Sequence, residues 1–140
     1  MRGINTSNFI FFTDPPWGDE VVYRTLIPSS IKSTHVFFKY AASLLQIGGY
    51  FGFNWHALDE ILRDFEWIKE YDIDIIHDGL PTLDDEGDLQ LYLGMLSDAV
   101  DFWKGQGIDG ELAQTRKYQH KLNIYFPEEC KNIIESISLK

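Results

Sequence analysis

A chain of 140 residues has the size of one domain and can bury a single modest core. Its 22 acidic and 12 basic residues give a formal charge of −10, which argues against nucleic acid as a ligand, because neutralising phosphates takes Lys and Arg. No run approaches the ~18 apolar residues of a membrane span, and Cys130 stands alone, so neither a membrane protein nor a disulfide framework is expected.

The charge is unevenly placed. Residues 59–101 hold 14 acids against Arg63 and Lys69, a balance of −12, and the rest of the chain is +2. Two readings stand at this point: a basic protein partner, because opposite surface potentials steer encounter, or a solvated acidic face that only keeps the chain soluble. With only Arg2 basic near the start and a four-residue apolar patch after it, the N-terminus lacks the pattern of a signal peptide, and a cytoplasmic location is the expectation.

Taken in order, residues 1–19 read as an N-terminal extension or extra strand. The run 9–12, Phe-Ile-Phe-Phe, is β-prone and suits either an added edge strand or an arm across the core, before Pro15, Pro16 and Gly18 break it. Residues 21–27 are rich in β-branched side chains, stop at Pro28 and read as the first strand. Ser33 and Thr34 offer caps for a helix whose apolar positions include Val36, Phe37, Tyr40, Leu44 and Leu45, ending at Gly48 and Gly49.

Residues 50–65 form an aromatic turn feeding a second helix. Gly52 allows a positive φ, and Asn54 is placed to cap. Trp55, Leu58, Ile61, Leu62 and Phe65 recur at the spacing of one helix face, while His56, Asp59, Glu60, Arg63 and Asp64 take the other. A second strand is expected over 71–77. The acidic loop 82–88 then leads into a helix with Leu89, Leu96 and Trp103 on its buried stripe, ended by Gly105 and Gly107. Residues 122–126 read as a third strand stopped by Pro127, and the tail 129–140 has the pattern of a short helix over 132–139. Strands separated by helices imply parallel pairing, hence an α/β, two-layer fold with a small three-stranded parallel sheet packed with helices.

The run YFGFNWHALDEIL at 50–62 resembles the signature of the barstar family, small inhibitors of secreted ribonucleases with an aromatic pair, Gly, Asn and Trp-x-Ala-Leu at this spacing. Weaker similarity extends over residues 21–126. The resemblance implies a barstar-like domain over 20–128 and an intracellular immunity protein that blocks a ribonuclease toxin with an acidic helix and the adjoining loop. It also implies a partner-binding set of Tyr50, His56, Asp59, Glu60, Asp64 and Asp98. In that set Glu60 stands where the family's central acid, usually Asp, is found, and His56 where a second contact Asp is usual. Asp98 falls at another contact acid, the next one aligns with Phe102, and residues 78–83 are implied as added loop contacts. Gly52, Asn54, Trp55 and Leu58 are implied as structural motif residues.

Two other readings stand beside this one. A small hydrolase could use His56 and Glu60 as acid and base, which would need a cleft around them. A barstar-fold interaction module without ribonuclease inhibition is the other. His35, His56, His77 and His120 lack the short spacings of a zinc site, and 82–88 lacks the ligand alternation of a calcium loop, so no metal is expected. No P-loop, dinucleotide fingerprint or nucleophile elbow occurs, and neither cofactor nor small-molecule substrate is expected.

Overall fold

The computed structural model describes residues 3–14, 22–45, 54–107 and 109–139. Its strands are β1 (Phe9–Phe12), β2 (Tyr23–Ile27), β3 (Asp72–His77) and β4 (Lys121–Pro127). Its α-helices are α1 (Thr34–Leu44), α2 (Trp55–Leu62), α3 (Glu86–Trp103) and α4 (Lys131–Ser138). The strands make one parallel sheet in the order β1-β4-β3-β2.

Among the described residues the sheet therefore has four strands, not three. The run 9–12 is an edge strand paired with β4, Phe9 opposite Ile124 and Phe11 opposite Phe126. What holds it there is apolar burial plus a polar anchor. The Phe9 ring meets Phe126 edge-on at 5.2 Å, and the buried Asn8 just before it donates through Nδ2 to the Ser97 carbonyl and to the Asp101 carboxylate on α3. The Pro15, Pro16 and Gly18 break lies outside the described residues.

Side chains alternate across the sheet, so each register row belongs to one face. Thr25, Ile75, Ile124 and Phe9 form one such row, and all four are buried. The core holds Leu93 and Leu96 of α3, Leu58 and Leu62 of α2, and Phe37 and Ala41 of α1. The neighbouring row is polar. Arg24 lies 3.8 Å from Asp74, and Asn123 donates to Asp74 at 2.9 Å and to Asp72 at 3.2 Å. Buried polar groups are tolerated when paired in this way.

The helices begin as their sequences require. Ser33 accepts the Val36 N–H, Asn54 the Ala57 N–H and Asp85 the Gly87 N–H, each satisfying a donor with no partner inside its helix. Gly105 closes α3 at φ 78, and Gly110 packs onto it so closely that an added Cβ would lie 2.5 Å from the Gly105 carbonyl carbon.

His77, at the end of β3, is wholly enclosed. Its Nδ1 is 2.9 Å from the Tyr125 carbonyl, its Nε2 is 2.7 Å from the Tyr92 hydroxyl, and its ring stacks on Phe126 at 4.1 Å. Burial lowers its pKa from 6.5 to about 4, so the native state holds it neutral. A depressed histidine pKa makes acid destabilising, because the unfolded chain takes up the proton first. The stability it contributes is present above pH 6.5 and drains away towards pH 4, a loss of about 2 kcal/mol by pH 5. Urea titrations at pH 7 and pH 5 should show this difference, and it should shrink in His77→Gln.

Candidate functional site

The eight residues of α2 divide by their spacing. Leu58 and Leu62 are buried, and Trp55 packs among Phe37, Phe38 and Tyr92 at centroid distances of 5.7, 4.8 and 6.2 Å. Asn54 starts the helix with a 2.8 Å cap bond. Asn54→Ala should lower stability by about 1 kcal/mol, read from a urea midpoint. Tyr50 and Gly52 lie outside the described residues.

His56 and Glu60 project from the opposite side. Their side chains are 81% and 63% exposed, with His56 Nε2 2.9 Å from Glu60 Oε1. Among the described residues no Lys or Arg pairs with Glu60, so its carboxylate is turned to solvent beside His56.

Asp59 differs from its neighbour and corrects the expectation of an outward acid. It is 5% exposed, and Arg63 one turn on holds it, Nη2 to Oδ2 at 3.3 Å. The physical reason is position: Asp59 lies four residues after Trp55 and three before Leu62, within the buried stripe, and a carboxylate there needs a cation. The same guanidinium reaches Asp109 at 3.2 Å, joining α2 to the turn before a 3-10 helix at Gly110–Thr115.

The helix also stops earlier than its apolar pattern suggests. α2 ends at Leu62, and Phe65 belongs to the following turn at φ 47, wholly buried against Trp103 and His120. A phenylalanine accepts this left-handed conformation only where packing outweighs the backbone strain. Asp64 consequently lies off the helical strip and is half-buried. Burial and the nearby Glu66 push its carboxyl above the ordinary range, with Arg116 opposing them.

Asp98, half-buried on α3, borders a cleft of about 260 Å³ between the ends of α2 and α3. Asp59, Arg63, Asp101, Phe102 and Asp109 also line it. The structure thus brings Asp59 and Asp98 to one cleft and leaves Glu60 and His56 outside its lining, on open surface. Asp101 and Asp109 were not among the expected residues. Asp101 carried a readable signal, three residues after Asp98 on one helix face; Asp109, in a turn, carried none. Phe102, aligned with a contact acid, is buried.

Among the described residues no helix is long and apolar enough to cross a membrane. None of their His, Cys, Asp and Glu side chains gather in a group of three or more that could hold a metal ion.

The sequence model of one family, described as Barstar (barnase inhibitor), matches residues 22–114. The chain belongs to the barstar family. The match runs from the start of β2 into the Gly110–Thr115 turn, so the whole of α2 and α3 lies within the barstar region, while β1, β4 and α4 lie outside it. Comparison with curated proteins and with solved structures gives no match. Barstar-family proteins are inhibitors rather than enzymes, with ribonucleases of the barnase kind as protein partners, and an inhibitor-type role follows from membership.

Proposed function

We propose that this protein is an intracellular immunity protein that binds a ribonuclease toxin and blocks its active site with the outward face of α2. The observation that carries the reading is Glu60, an exposed carboxylate on a capped helix in a chain whose negative charge is concentrated around it. A ribonuclease must hold phosphate and so lines its cleft with cations. A carboxylate presented there satisfies those donors, and charge-assisted bonds are strong once water is excluded. The inhibitor imitates the substrate's charge and offers no bond to cleave.

Within this reading Glu60 is the central contact, with His56 beside it and Tyr50 as an aromatic anchor. Asp98 lies across the cleft as a further acid. Asp59 acts from behind, by fixing Arg63 and the helix end, and Asp64 adds a half-buried carboxyl near the same edge. The residues 20–128 serve as the barstar-like unit, with 1–19 and 129–140 as additions to it. Cytoplasmic residence fits an antidote that meets its toxin at the RNA.

The hydrolytic alternative draws no support from geometry. His56 and Glu60 lie on open surface, where no substrate would be enclosed. Mixing the protein with basic microbial ribonucleases and following RNA cleavage tests the inhibitory reading. Stoichiometric loss of cleavage with one of them is expected. Undiminished cleavage throughout, with a partner captured that is no nuclease, would favour the interaction-module reading instead.

A further inference from the structure

The last carbonyls of a helix have no partner within it. At the end of α2 they are met by side chains from distant parts of the chain. Trp103 Nε1 donates to the Leu62 carbonyl at 2.9 Å, and Arg116 Nε donates to the Arg63 carbonyl at 2.7 Å. His120 lies between two carbonyls, Nε2 3.2 Å from Phe65 and Nδ1 2.8 Å from Glu70. The Arg116 guanidinium also covers the Phe102 ring of α3, 5.1 Å from its centroid. Arg116 therefore ties the end of α2 to α3 one turn beyond Glu60.

We propose that Arg116 is a positioning residue for the outward face of α2, fixing the direction in which Glu60 leaves the surface; this rests on the inhibitory reading above. An eight-residue helix has little stability of its own, so tertiary contacts set its aim. A face held before encounter loses less freedom on binding, and affinity rises accordingly. Electrostatics alone implies the reverse. Arg116 is a cation beside Asp64 on an acidic chain, and deleting it should strengthen attraction to a basic partner. The two accounts differ in sign.

Two variants separate them. Arg116→Met keeps an unbranched chain over Phe102 and removes the N–H donor. Arg116→Lys keeps the charge without the planar fork. Amide hydrogen exchange across residues 55–65 of the free protein is measured first, then the kinetics with whichever basic microbial ribonuclease the wild type inhibits. In both variants exchange over 55–65 should quicken about tenfold, exchange in α4 should hold, and dissociation from the ribonuclease should quicken about tenfold. Unchanged exchange in Arg116→Met, or tighter binding by it, would overturn the role. If the wild type inhibits none of the ribonucleases, the inhibitory reading falls on its own, and the exchange result alone decides whether Arg116 fixes α2.

Discussion

Glu60→Lys is expected to abolish inhibition while leaving the fold intact. The wild-type side chain is 63% exposed and its carboxylate pairs with the helix neighbour His56, so little native stability rests on it. Facing a cationic cleft, a lysine there would leave the partner's buried cations unpaired and add like-charge repulsion. Losses of this kind run to about 3 kcal/mol or more, a rise in Kd on the order of a hundredfold. Titration calorimetry with an inhibited ribonuclease reads the affinity, and a urea midpoint within about 0.5 kcal/mol of wild type confirms that the fold is unharmed. Equal inhibition by Glu60→Lys would remove Glu60 from the interface.

Arg63→Ala should behave in the opposite way, losing stability first. Its guanidinium is the cation for Asp59, a carboxylate only 5% exposed, and also bridges to Asp109. Removing one partner of a buried pair leaves an uncompensated charge and costs about 3 kcal/mol. Adding Asp59→Asn should recover part of that loss, because the stranded charge goes with it, and the double-mutant cycle measures the coupling. A single-mutant loss below about 0.5 kcal/mol would mean that water or another group compensates Asp59.

These two neighbours mark how far the sequence could be read. Asn54, Trp55, Leu58 and Leu62 follow from capping and helical spacing alone, and β2, β3 and β4 from short runs of β-branched, aromatic and other apolar residues closed by proline or glycine. The charge of Asp59 suggests the outward face, but its place in the helix does not. Four residues after Trp55 and three before Leu62, it belongs to the buried stripe by the very spacing that identified the helix, and its companion Arg63 was visible one turn on. Phe65 fitted the apolar pattern but lies past the helix end, where tertiary packing against Trp103 turns the chain through φ 47.

Other features were beyond reach for a different reason. Phe9–Phe12 has no period to tell an edge strand from an arm, and its partner β4 lies more than a hundred residues along the chain. Arg116 and His120 fall in a stretch with neither helical nor strand periodicity. Their bonds to the Arg63, Phe65 and Glu70 carbonyls depend on where the 3-10 turn leaves them, which no local pattern encodes.

The strand order has a consequence for how the protein is made. β4 stands between β1 and β3, yet among the described strands it is the last to be synthesised. Until residue 127 has left the ribosome, β1 has nothing to pair with and β3 exposes a bare edge. Trp103 and Arg116, which bond the Leu62 and Arg63 carbonyls at the end of α2, also follow α2 in the chain. Each newly made chain must therefore pass a period in which this sheet is open, and cellular protection of nascent chains matters most in that interval.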